Sequence, residues 1–325
     1  MGGTTRRARF AAALVIGVGA LTTATADAAT RVEVPCDGRD GGPEGLRAAI
    51  NEVNTAGGGE IQLEEGCTYA ITKVDNRTRS GANGLPVIRT RIRITTLAER
   101  GLLSGIRVGG RRDPSASVVR QGGPAFRLFE VARGARLSLE YIDLAGGSAP
   151  TGGAVRNNGE TLSLMYSSID TSVATGPVAH GGGIWSASPV QLTYSHVRRT
   201  EATGQTAEGG GIWSGTSIHL QYSSVSRSAA RARAGTAYGG GIFSRSGEVE
   251  LTYSDASANR VVSAGRAALG GGIFAPGGVE LTYSDVTNNL ADGRPAEGGG
   301  VYSPRLGVDG TYSSVTGNRP DNCRC

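Results

Sequence analysis

Five aromatic residues recur at one position of a repeating pattern. Trp185, Trp213, Phe243, Phe274 and Tyr302 each follow an aliphatic residue that is itself preceded by three glycines. If that aliphatic side chain points inward on a strand, its successor points outward. The five would then line one face. Such a row suits a carbohydrate platform, and it equally suits mutual stacking that holds neighbouring coils together. A second row is Gln191, His219, Glu250, Glu280 and Asp309. Its last three members would set like carboxylates side by side, close enough to repel. Ca²⁺ bound by Glu250, Glu280 and Asp309 would relieve that repulsion, and oxygen ligands are what this ion prefers. Asp255 and Asp285 lie in the neighbouring row. A third row, the residue before each glycine triplet, begins with His180 and Glu208. These two form either an acid/base pair or a hydrogen-bonded surface pair. No Ser-His-Asp or Cys-His arrangement can be read from the three histidines, His180, His196 and His219.

Rows of this kind require a repeating chain. The triplets begin at Gly181, Gly209, Gly239, Gly270 and Gly298, with a weaker copy at Gly152, and successive starts lie 28 to 31 residues apart. A tyrosine keeps pace at positions 141, 166, 194, 222, 253, 283 and 312, so seven of the ten tyrosines hold one repeat position. Val249-Glu250-Leu251-Thr252 and Val279-Glu280-Leu281-Thr282 alternate apolar and polar residues, the signature of a half-buried strand. Gly-Gly-Gly-Ile reads as a second strand and Ser284-Asp285-Val286 leads into a third, while a variable stretch rich in Ala, Gly, Thr and Arg closes each unit. One unit cannot bury its own apolar row. Stacked units can, in a continuous narrow core, with parallel pairing and a rise of ~4.8 Å per coil. Asn259, Asn289 and Asn318 share a position after the third strand, where they would form an amide ladder. The expected fold is an all-β, right-handed parallel β-helix (β-solenoid) of 28–31-residue coils.

The 325-residue chain divides into residues 1–28 as a signal peptide, 29–122 as an N-terminal cap with irregular first coils, 123–320 as regular repeats, and 321–325 as a cysteine-containing tail. Arg6, Arg7 and Arg9 precede an apolar run from Phe10 to Leu21, and Ala26-Asp27-Ala28 supplies a cleavage site. That run falls short of the ~20 residues needed to span a bilayer, and no later stretch is apolar enough to do so. A secreted or cell-surface location is expected. Loss of residues 1–28 lowers the net charge from +5 to +3, too weak and dispersed to indicate nucleic acid. Four cysteines in an exported chain favour disulfides. Cys36–Cys67 would clamp the N-terminal region, while Cys323 and Cys325 leave their pairing open. Leu46, Ala49, Ile50 and Val53 mark one face of a helix over Pro43–Asn54, placed to cover the first coil. Strand-like segments follow at Glu60–Leu63, Tyr69–Lys73, Pro86–Ile88, Arg91–Thr95 and Ala125–Val131. No comparable cap is legible after Asn318, so end-to-end self-association, locked by Cys323 or Cys325, is a further expectation.

Leu46-Arg47-Ala48-Ala49-Ile50-Asn51, followed by Glu60-Ile61-Gln62-Leu63 and Tyr69, resembles the start of secreted parallel β-helix proteins of the pectin-lyase-like superfamily. The Gly-Gly-Gly-Ile-aromatic units with their Leu-Thr-x-Ser-x-Val continuation look most similar to polymorphic-outer-membrane-protein and CSLREA-type bacterial repeats. The resemblance covers roughly residues 31–320, and one departure is the repeated tyrosine where such units often carry Asn. It implies a fold more than an activity, since this scaffold hosts lyases, hydrolases, adhesins and spacers. The Asn-Thr-Asp, Asp-Asp, Gly-His-Gly and Arg-Ile-Lys motifs of its galacturonase members do not occur; Arg91-Ile92-Arg93 is too short to count. The expected function is therefore non-catalytic: structural, or binding carbohydrate or another partner at the cell envelope. A Ca²⁺-dependent polysaccharide lyase or glycoside hydrolase acting on an acidic glycan is the alternative. No cofactor other than Ca²⁺ is implied.

Overall fold

The computed structural model describes residues 30–96 and 115–325. The proposed signal peptide lies outside them. Among the described residues no helix is long and apolar enough to cross a membrane.

Five parallel sheets wrap a solenoid of about nine turns of roughly 29 residues. The largest has ten strands, running from Thr30–Val34 at one end to Val308–Thr311 at the other. Register is kept residue for residue: Val190 pairs with Ile218, Ile218 with Val249 and Val249 with Val279, while Leu192, Leu220, Leu251 and Leu281 form the adjacent column. Both columns are buried. Each such side chain contributes about 1.5–3 kcal/mol by leaving water.

The variable stretch that closes each unit is itself strand-forming. It supplies two more strands per coil, as in Arg260–Ser263 and Ala268–Leu269, which belong to six- and five-stranded sheets. Their inward columns are mostly alanine, Ala174, Ala202, Ala230 and Ala291 in one and Ala179, Ala207, Ala237 and Ala268 in the other, and they form a second, thinner core. Alanine alternating with small polar residues carries little apolar contrast, so periodicity does not reveal these strands.

Two left-handed corners shape each coil. The repeated tyrosines have φ between 49° and 56°, and so do non-glycine residues five positions on, such as Arg199, Arg227 and Ala258 at 52–54°. A bulky residue there is strained. The tyrosine rings offset this by stacking along the axis at 4.8–4.9 Å. From Tyr166 onward the serine after each tyrosine pins the corner. Ser195 Oγ donates to Thr193 O at 2.9 Å, and the Ser167 N–H donates to Ser195 Oγ at 3.1 Å, a pattern that continues to Ser313. After the second corner the expected asparagine ladder is present. Asn259 N–H donates to Asn289 Oδ1 and Asn289 N–H to Asn318 Oδ1, both at 2.8 Å.

The glycine triplet has three separate reasons. Gly239 sits at φ 57°, a Cβ on Gly240 would lie 2.2 Å from Gly271 O, and one on Gly241 would lie 2.7 Å from the Asn259 side chain.

The N-terminal region is less regular. The helix spans Gly42–Thr55 and buries Leu46, Ala49, Ile50 and Val53 as its spacing predicts. Pro43 stands in its first turn, where the missing N–H costs nothing. Strands form at Gly58–Leu63, Thr68–Ile71 and Arg91–Thr96. Pro86–Ile88 is reduced to a bridge between Ile88 and Val131, and the strand near Ala125 is confined to Phe129–Val131. Asn76–Thr78 and Gly81–Asn83 make an unexpected antiparallel hairpin. Cys36 and Cys67 are disulfide-bonded with Cα atoms 5.4 Å apart. Cys323 and Cys325 pair with each other, so all four cysteines are paired within the chain. Neither tail sulfur is free to lock a joint between molecules.

Candidate functional site

The five aromatic residues form a continuous stack, Trp185 on Trp213, Phe243, Phe274 and Tyr302, with centroids 5.1–5.9 Å apart and planes within 11° of parallel. They run along the axis, so the ring faces meet one another and only edges turn outward. The third row lies over them. His180 stacks on Trp213 at 5.3 Å, and Tyr238 packs edge-on against Phe243 and Phe274. Trp213 and Phe243 are consequently only 5% and 6% exposed. Trp185, Phe274 and Tyr302 remain partly exposed. The outer face of Trp185 is taken by the Arg156 guanidinium, 4.3 Å from the ring centroid.

His180 and Glu208 are brought together, Nε2 to Oε2 at 3.2 Å. The same Glu208 oxygen accepts a 2.7 Å hydrogen bond from Trp213 Nε1, which ties the pair to the aromatic stack. Burial holds the His180 pKa below its ordinary value, although Glu208 pulls the other way.

Gln191, His219, Glu250, Glu280 and Asp309 stand in register on successive strands. Glu250 Oε2 is engaged by His219 Nδ1 at 2.8 Å. The carboxylates align without converging. Among the described residues, the one set of three or more candidate ligands with atoms within 4.8 Å of each other is Cys36, Glu64 and Cys67, whose sulfurs are already joined. Asp255 lies beside Asp285, and burial followed by that neighbouring charge raises its pKa.

A groove of about 500 Å³ opens beside the start of the aromatic stack, lined by residues that include Arg79, Ser80, Thr151, Arg156, His180 and Trp185. The hairpin forms one wall. It is held from beneath by Arg127, whose side chain is 0% exposed, and by Glu130. Glu130 accepts hydrogen bonds from Thr78 Oγ1 and Ser80 Oγ, both 2.8 Å, and from Asn83 Nδ2 at 2.7 Å. Arg127 donates to Ser80 O at 2.6 Å and to Thr151 O at 3.1 Å, so it joins both rims. Burial brings the Arg127 pKa down to about 10. Burial also pushes Glu130 upward, but the bonds from Ser80, Thr78 and Asn83 and the Arg127 charge outweigh it and leave its pKa below the ordinary carboxylate value.

Periodicity picked out Trp185 and His180 but not Arg79, Arg127, Glu130 or Arg156. Arg79 and Arg127 belong to no repeated column, whereas Glu130 and Arg156 extend the aromatic column below Trp185, with Arg156 at the equivalent position of the weaker Gly152 copy. The signals in the chain are the turn-forming run Thr78-Arg79-Ser80-Gly81 and the weaker glycine copy at Gly152, which sets Arg156 where later units carry an aromatic ring.

The fold defines this chain as a parallel β-solenoid. No protein-family model, curated protein or solved structure matches it.

Proposed function

We propose that this protein is an exported, non-catalytic β-solenoid of pectin-lyase-like ancestry that acts at the cell surface as a rigid binding rod. The observation that carries the reading is the groove beside Trp185. It combines hydroxyls, cationic side chains and an indole edge at one place on an otherwise repetitive surface, the mix by which extended polar ligands such as glycans are held. The acid–base candidates support the same view, because His180–Glu208 and His219–Glu250 are engaged in contacts between coils. Two internal disulfides suit an oxidising compartment.

A glycan-array screen of the exported chain, with and without Ca²⁺, followed by cleavage assays on each glycan bound, tests this. Binding without cleavage, weakened by Trp185→Ala, is the expected result. Unsaturated chain ends that disappear on chelation or in Glu250→Gln/Glu280→Gln would overturn it in favour of a Ca²⁺-dependent lyase. Silence on every glycan would sink the binding half and leave a purely structural rod.

A further inference from the structure

The groove carries more positive charge than the protein around it neutralises. Arg127 is answered by Glu130, with Nη1 to Oε2 at 3.1 Å. Arg156 makes no ion pair among the described residues; Glu130, its neighbour one strand away, acts on it only through space and is already paired with Arg127. The Arg156 guanidinium makes one hydrogen bond, from Nη2 to Asn158 Oδ1 at 3.2 Å, and its Nε is buried without a partner. That leaves most of its five N–H donors unspent. The ring of Trp185 holds the guanidinium flat at 4.3 Å. Arg79, on the hairpin rim, is exposed and has no ion pair among the described residues. The carboxylate next to His180, Glu208, is bound to His180 and Trp213.

A partly buried arginine ordinarily has its fork filled by a carboxylate or phosphate. Here the fork is oriented by an indole, the rim is anchored by a buried Arg–Glu network, and two arginine side chains border one cavity beside His180. We infer that the groove is an oxyanion-binding site in which Arg156 supplies the fork, Arg79 a second charge from the rim, and His180 a donor from the floor. Its ligand is a carboxylate, sulfate or phosphate group carried on a larger polar molecule. Burial lowers the pKa of Arg156, the electrostatic cost that an incoming anion would remove. The inference goes beyond the binding-rod reading and does not require the ligand to be a glycan.

The test is a titration of the exported chain with sodium acetate, sulfate and phosphate at constant ionic strength, read by tryptophan fluorescence and by the NMR titration of His180. A saturable response is expected for at least one anion, together with a rise in the His180 pKa on binding. A response to acetate marks a carboxylate ligand, and one confined to sulfate and phosphate marks a tetrahedral one. Arg156→Gln should weaken binding about tenfold or more, and Arg156→Lys should recover only part of it because the fork is lost. Arg79→Gln, on the exposed rim, should weaken binding severalfold and decides the matter if the Arg156 variants fail to fold. No saturable response to any of the three anions, or a response unchanged in Arg79→Gln and Arg156→Gln, overturns the inference.

Discussion

The two ends of this solenoid are built on different principles. From Tyr141 to Tyr312 the recurring contacts are rungs of columns: tyrosine on tyrosine, serine to serine, asparagine to asparagine. Near the N-terminus the contacts are single. One helix, one hairpin and one buried Arg127–Glu130 pair each occur once. Column residues have neighbours of the same kind that share a loss, whereas a single contact has none. The same contrast explains where a specific site can arise. A column makes every coil alike, so a groove with its own shape and charge forms where the repeat breaks down, against the hairpin at Thr78–Gly81.

The largest effect should come from Glu130→Ala. It leaves the fully buried Arg127 guanidinium without its counter-charge and frees Thr78, Ser80 and Asn83. A loss of about 3–5 kcal/mol is expected in denaturant unfolding. A loss below about 1 kcal/mol, the scale of an exposed pair, would erase the distinction between the two regions.

Asn289→Ala should cost less. It removes the acceptor for Asn259 N–H and the donor to Ala256 O, both buried, at about 1–3 kcal/mol. Asn289→Ser should recover part of this, because Ser228 already serves at the equivalent rung, where its hydroxyl meets Thr200 Oγ1 at 2.9 Å. If serine proved no better than alanine, the rungs would not be interchangeable and the column picture would need revision.

The smallest effect is on pH dependence, and it sharpens the comparison by separating the regions in acid. Burial lowers the folded-state pKa of His180 and His196 below the ordinary 6.5, with Arg198 helping at His196. The unfolded chain then binds protons more readily, so stability is complete above about pH 6.5 and declines as the pH falls below it. Glu130 has a folded pKa below its ordinary 4.5. Its contribution is complete above that value and is lost as the pH falls through the folded pKa. Thermal unfolding followed from pH 7.5 to 3 should therefore show a shallow first decline, flattened by His180→Gln/His196→Gln. A steeper one should follow below about pH 4.5, reduced in Glu130→Gln, while Asp170 and the other carboxylates held below their ordinary values keep the remainder.

Much of this fold can be read from the chain. The period, the Leu and Val columns, the asparagine ladder, the helix face at Leu46, Ala49, Ile50 and Val53, and the Cys36–Cys67 bond all rest on residue types at fixed spacing. In a stacked solenoid the partner of a residue is its equivalent one coil on, so sequence spacing translates directly into contact. The alanine-lined strands and the serine rungs are harder to see, because small residues carry little hydrophobic contrast.

Two matters were decided only by tertiary structure. The first is what the aromatic row presents. Spacing predicts a line of rings, but the stacking direction sets their faces against one another and His180 and Tyr238 cover part of the row. The second is the groove. Arg127 meets Ser80 across 47 residues, and Thr78 meets Glu130 across 52. No repeat relates these positions and no local spacing announces them. Columns follow from local identity at a constant period. A site that sets column residues against ones outside the repeat depends on where the chain brings them together.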